Sequence, residues 1–158
     1  KILKNRRDYL SFFTRIGPEA ISKDFNKEYL SRILKNSTKN IKSLLLDQKL
    51  VSGLGNIYVN EILYQSKVNP FKKSHLIDLN ESKRIVKYSK IILNKAIYFG
   101  GSSIRDFKGI TGKSGNFQSE FKVYDREEKR CSRNKCSGLI RRKIISNRST
   151  FMCTVCQK

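Results

Sequence analysis

Apolar positions recur at helical spacing through the first hundred residues and at strand spacing only near the end of the chain. After a basic, aromatic stretch with no clear period, Lys1 to Ile16, the pair Gly17-Pro18 punctuates the sequence. Tyr29, Leu30, Ile33 and Leu34 then form one apolar face, predicting a helix that starts with Asp24 or Asn26 as its cap and stops near Asn36. A second helix, capped by Ser37 or Thr38, is predicted through Ile41, Leu44 and Leu45. A third opens at Gly55-Asn56, runs through Ile57, Tyr58, Ile62 and Leu63, and ends before Asn69-Pro70. A longer helix from about Asn80 to Phe99 places Ile85, Ile92, Ala96 and Phe99 together, with Gly100-Gly101 as a C-terminal glycine stop. The polar, glycine-containing stretch 102–117 reads as a mobile loop. Strand-like runs follow at Phe121 to Tyr124, Leu139 to Ile145 and Arg148 to Met152, the last two joined by Ser146-Asn147 as a hairpin.

Charge narrows the function. The 158 residues carry 34 Lys+Arg against 13 Asp+Glu, a formal net charge of +21 that calls for a polyanionic partner. Abundant Lys, Ile and Asn also fit an AT-rich coding bias, so the local signal counts for more. Between Arg126 and Arg148 there are nine Lys/Arg against two Glu, on a segment interrupted by cysteines. No run approaches 18 apolar residues and Trp is absent, which argues against a membrane span or a membrane-surface helix. Nucleic acid is the better partner.

All four cysteines lie in one pattern, Cys131-x4-Cys136, sixteen intervening residues, then Cys153-x2-Cys156. Two close pairs bracketing a hairpin bring four thiolates to one point, the donor set of a structural Zn²⁺. Two disulfides or four buried thiols are the alternatives, and nothing here signals export. Four thiolates leave no open position for a water, so the metal's task is to hold a hairpin too small to bury its own core. That hairpin carries Arg141, Arg142, Lys143 and Arg148, guanidinium and ammonium groups suited to phosphate. At Gly55-Asn56, a helix start with unpaired backbone N–H groups and a side-chain amide makes a second phosphate site, and glycines allow close approach.

Three stretches resemble one family. Leu45-Leu46-Asp47-Gln48-Lys49-Leu50-Val51-Ser52-Gly53-Leu54-Gly55-Asn56-Ile57-Tyr58-Val59-Asn60-Glu61 is similar to the helix-two-turn-helix motif of bacterial formamidopyrimidine-DNA glycosylase. Arg148-Ser149-Thr150-Phe151-Met152-Cys153-Thr154-Val155-Cys156-Gln157 resembles that family's zinc finger, and Ile16-Gly17-Pro18-Glu19-Ala20 with Asp24-Phe25-Asn26 resembles the start of its C-terminal domain. The resemblance implies a mainly α fold with a small β zinc-ribbon: 1–16 a linker, 17–120 the helix-two-turn-helix DNA-binding domain with a lesion loop at about 102–117, and 121–158 the zinc finger. It implies DNA contacts by Lys42 near the damaged base and by Gly55, Asn56 and Arg148 on phosphates, with Arg148 also assisting δ-elimination. Cys131, Cys136, Cys153 and Cys156 would hold one structural Zn²⁺. The partner implied is double-stranded damaged DNA, and the setting that of a cytoplasmic bacterial monomer.

Two departures from the family stand out. The first cysteine pair is spaced by four residues where the family usually has two. The family's nucleophile is the amine of an N-terminal proline next to a glutamate, in an N-terminal domain that this chain is expected to lack. Pro18-Glu19 is no substitute, because an internal amide nitrogen is not nucleophilic. The expected whole is a base-excision repair glycosylase and abasic-site lyase for oxidised purines, with this chain alone inactive. The alternative is a non-catalytic DNA-binding or damage-sensing zinc-finger module.

Overall fold

The structure is a computed structural model and describes residues 16–102 and 115–158. The Lys1–Arg15 part of the expected linker and the greater part of the expected lesion loop, 103–114, lie outside the described residues.

Helix α1, Lys27–Lys35, begins where Asn26 Oδ1 accepts the Tyr29 N–H at 2.9 Å, so Asn26 rather than Asp24 is the cap. Helix α2 is short, Ile41–Leu45, and its cap is Asn40, whose side chain accepts from the Ser43 N–H. Ser37 and Thr38 were the expected caps, but the backbone before α2 is held extended by pairing of Asn40 with Lys73, which delays the first helical turn. Helix α3, Asn56–Gln65, is buried over Val59 to Tyr64, the pattern of a helix enclosed on several sides. Helix α4, Leu79–Tyr98, opens with a reciprocal capping box between Asp78 and Glu81. It closes as expected on Gly100 and Gly101, both at positive φ, with Gly101 N–H on Ala96 O and Gly100 N–H on Ile97 O.

Strands β1, Ile140–Ile145, and β2, Arg148–Cys153, pair antiparallel with Ile140 opposite Cys153 and Ile145 opposite Arg148. The two-residue turn has φ of 48° at Ser146 and 58° at Asn147, the left-handed pair that matches the twist of a tight hairpin. The expected strand at Phe121 to Tyr124 does not form. A 3₁₀ turn spans Phe117–Glu120, and the backbone N–H groups of Lys122, Val123 and Tyr124 all point at the buried carboxylate of Glu61 on α3, at 2.8 to 3.1 Å, so none is available to a sheet.

Two apolar clusters result. The larger gathers Leu30, Leu34, Ile41, Leu44, Leu45, Val59, Ile62, Leu63 and Ile85, and Phe117 at the end of the expected loop is buried in it. The smaller combines Val123, Ile140, Phe151 and Cys153 with Tyr64 of α3. Helix α3 therefore carries the hairpin on one side and the helical core on the other. A ladder of rings, Phe117, Phe121, Tyr124 and Phe151, with centroids 5.0 to 5.7 Å apart, joins the two.

Candidate nucleic-acid interface and metal site

The turn between α2 and α3 is shaped by Gln48. Its Oε1 accepts the Gly53 N–H at 3.0 Å and its Nε2 donates to Leu54 O at 3.0 Å. Gly53 sits at φ +82°, a conformation that favours glycine. Gly55 is different: its φ of −101° suits any residue, and a Cβ there would meet open space. What Gly55 leaves uncovered is the start of α3, where the Asn56, Ile57 and Tyr58 N–H groups precede the first intrahelical bond, Val59 N–H to Gly55 O. Incoming segments brace this turn, with Gly17 N–H on Gln48 O and Ser52 N–H on Pro18 O. Pro18 thus lies inside a backbone ladder, its nitrogen an amide.

A polar joint fastens hairpin to helices. Lys42 is fully buried, and its ammonium donates to Ser149 O and Thr150 Oγ1, both at 2.8 Å. Asn56 Nδ2 donates to the same Ser149 O at 3.0 Å. One helical turn on, Asn60 Oδ1 accepts the Phe151 N–H at 2.7 Å and its Nδ2 donates to Asn56 O. Burial first, and the nearby Arg148 guanidinium second, press the Lys42 ammonium down to about 8. The result places the exposed Arg148, at the head of β2, beside the α2–α3 turn.

The structure therefore brings Lys42, Gly55, Asn56 and Arg148 to one region, but with two unexpected assignments. Lys42 is an internal tie rather than a surface cation. The Asn56 amide is turned into the joint, leaving the backbone N–H groups ahead of the first intrahelical bond as the donors at this helix start. Sequence reasoning passed over Asn60, Glu61 and Gln48, all polar residues inside an apolar helical stretch or its turn. Buried polar residues in such a stretch are the available signal.

The four cysteine Sγ atoms lie within 4.8 Å of one another. Cys131 to Cys156 is 3.9 Å and Cys136 to Cys153 is 3.6 Å, close to the ~3.8 Å edge of a tetrahedron with metal–sulfur distances of about 2.3 Å. The donor set fits a four-coordinate soft metal ion. Gly138 is required here, since a Cβ would sit 2.5 Å from Cys153 Sγ. Outside the cluster, Tyr64 Oη lies 3.1 Å from Cys131 Sγ, and Gln157 Oε1 accepts the Cys153 N–H at 2.8 Å while its Nε2 donates to Val68 O. Gln157 is another residue passed over, and it locks the ribbon to the loop after α3. His75 is engaged elsewhere, its Nδ1 3.3 Å from Ser37 O.

Residues 16–108 match the model of the formamidopyrimidine-DNA glycosylase H2TH domain. This chain belongs to the formamidopyrimidine-DNA glycosylase family. It is 43% identical over 143 residues to the formamidopyrimidine-DNA glycosylase of Prochlorococcus marinus subsp. pastoris, covering 90% of this chain and 48% of the relative. The enzyme of that name from Zymomonas mobilis is 42% identical over 157 residues, covering 99% and 57%. Among solved structures, the Lactococcus lactis protein of this family in complex with abasic-site DNA superposes with a TM-score of 0.87 at 37% identity, covering 97% of this chain and 56% of that one. The Thermus thermophilus protein gives 0.87 at 34% identity, covering 97% and 58%. The chain spans about half the length of the curated relatives it matches. The resemblance seen in the motifs is thus borne out, as is the fold of a helical H2TH domain with a four-cysteine hairpin.

Proposed function

We propose that this chain is the DNA-gripping C-terminal part of a base-excision repair glycosylase and abasic-site lyase that acts on oxidised purines, 8-oxoguanine and formamidopyrimidine, in duplex DNA. The observation that carries this reading is the shared Ser149 carbonyl. Lys42 and Asn56 both donate to it, which fixes the strand that carries Arg148 against the N-terminal end of α3. Two kinds of phosphate donor, one a fixed helix end and one a guanidinium, then face the same side. The Lactococcus lactis relative, solved with abasic-site DNA, supports damaged DNA as the ligand.

In this reading residues 17–120 form the DNA-binding helical part and 121–158 the finger. Gly55 leaves the α3 N-terminus open to a backbone phosphate, and Arg148 neutralises a phosphate flanking the lesion. During δ-elimination the same guanidinium stabilises the departing phosphate. Lys42 holds Ser149 in place beneath it. Cys131, Cys136, Cys153 and Cys156 hold one Zn²⁺, which supplies a crosslink that keeps the ribbon folded. In this reading the amine nucleophile and its proton-transfer partner are not among the residues of this chain. The protein acts as a monomer in the bacterial cytoplasm.

Binding to an abasic-site duplex, followed by fluorescence anisotropy across salt, tests this. With about four phosphates neutralised, the slope of log K against log salt is roughly −3.6, an affinity loss of about a hundredfold from 50 to 200 mM. Arg148→Ala is expected to make the slope shallower by about 0.9 and to weaken binding alike on all sequences. Salt-independent binding, or a changed sequence preference at unchanged affinity, overturns the assignment.

A further inference from the structure

We propose that the groove between the start of α2 and the hairpin turn holds a second DNA backbone phosphate, next to the one assigned to Arg148. This rests on the DNA-binding reading above and extends it to residues outside the motifs that carry the family resemblance.

The groove, about 460 Å³, is lined by Lys39, Ser43, Asp47, Lys73, Ser146 and Arg148. Its floor is a direct link between α2 and the hairpin turn, Ser43 Oγ to Ser146 Oγ at 3.1 Å. The two lysines rise from backbones that are paired to each other. Asn40 and Lys73 form an antiparallel bridge, Ile41 N–H donates to Lys72 O at 2.9 Å, and Lys39 O accepts both the Ser74 N–H at 2.9 Å and the Ser74 hydroxyl at 2.8 Å. A cation on such a frame gives up little backbone freedom on binding.

The charge is unbalanced. Lys39, Lys73 and Arg148 line the groove with one carboxylate, Asp47, which is engaged with Lys39 at 3.0 Å, so with Arg148 on its own phosphate Lys73 is the cation left for the second. Among the described residues no carboxylate lies within 4.0 Å of Lys73 or Arg148. The excess positive charge, with the one hydroxyl proton that the Ser43–Ser146 pair leaves free, suits phosphate oxygens. The cationic track also continues along the hairpin, where Lys143 Nζ lies 5.5 Å from the Phe71 ring centre, two residues from Lys73. Continuity with Arg148 favours successive phosphates of one strand over a free anion.

The test compares the wild-type chain with Lys73→Gln, and with Lys83→Gln on the exposed face of α4 near Glu28 as an equal change of net charge elsewhere. With the abasic-site duplex, Lys73→Gln is expected to make the salt slope shallower by about 0.9, so that raising salt from 50 to 200 mM costs it about 3.5-fold less affinity than wild type. Lys83→Gln is expected to keep the wild-type slope. Single methylphosphonate replacements along the lesion strand then locate the contact. One neutralised phosphate should weaken wild type but not Lys73→Gln, and it should differ from the phosphate whose neutralisation leaves Arg148→Ala unaffected. Equal slopes for Lys73→Gln and Lys83→Gln, or one phosphate serving both Lys73 and Arg148, overturn the second site and leave the DNA reading standing. Wild-type binding without salt dependence overturns both.

Discussion

Replacing Lys42 by Met should remove a pH dependence of stability while changing stability at neutral pH only modestly. The ammonium is fully buried, and its partners are the neutral Ser149 O and Thr150 Oγ1 rather than a carboxylate. Its pKa, lowered by burial and then by Arg148 from 10.5 to about 8, means that folding with the proton bound costs about 3 kcal/mol. Two hydrogen bonds from a charged group offset this by about 3–6 kcal/mol. Lys42→Met loses both terms, and Ser149 O keeps its Asn56 donor, so the net destabilisation at pH 7 is about 0–3 kcal/mol. Above pH 8 the terms separate. The folded lysine releases its proton before the unfolded one does, so between about 8 and 10.5 the unfolded chain binds more protons and wild-type stability rises with pH. Below 8 both states hold the proton and this contribution is flat. Urea unfolding of wild type and Lys42→Met from about pH 7 to 10 measures the difference, in which the shared titrations cancel. The wild-type advantage should grow by about 1–3 kcal/mol across that range. A constant difference refutes the buried-ammonium account, and one that shrinks as pH rises reverses its sign.

The metal site should yield one zinc per chain after purification without added zinc, and Gly138→Ala should lower metal affinity at least about tenfold by crowding Cys153 Sγ. A zinc content of zero, or an unchanged affinity in chelator competition, contradicts this. Glu61→Ala strands three backbone N–H groups of the segment entering the finger and should cost about 3–5 kcal/mol in denaturant unfolding. A loss below about 1 kcal/mol would show that water replaces the carboxylate. The 158-residue chain should bind an 8-oxoguanine duplex without releasing the base, because the Pro18 nitrogen is an internal amide, the Lys42 amine is buried on Ser149 and Thr150, and Arg148 carries a guanidinium rather than an amine. Base release with an efficient borohydride trap by this chain would place the nucleophile here.

The sequence by itself determined those features whose cause is local. Helix α1, α4 with its glycine stop, and the Ser146-Asn147 hairpin each follow from side-chain periodicity and backbone preference within a few residues. The cysteine spacing likewise brings the thiolates together across a single hairpin. Tertiary structure decided what depends on partners far along the chain. Lys42 reads as one more basic residue until its ammonium meets Ser149, 107 positions away, and the Asn56 amide looks free until the hairpin arrives from 93 positions away. Phe121 to Tyr124 has strand-like composition, yet its N–H groups are taken by Glu61, some 60 positions earlier. Local propensity is worth tenths of a kcal/mol per residue, whereas a buried carboxylate left without donors costs several, so the distant partner decides the conformation. The same holds at Asn40, which displaces Ser37 and Thr38 as a cap because pairing with Lys73 holds Asn40 itself extended.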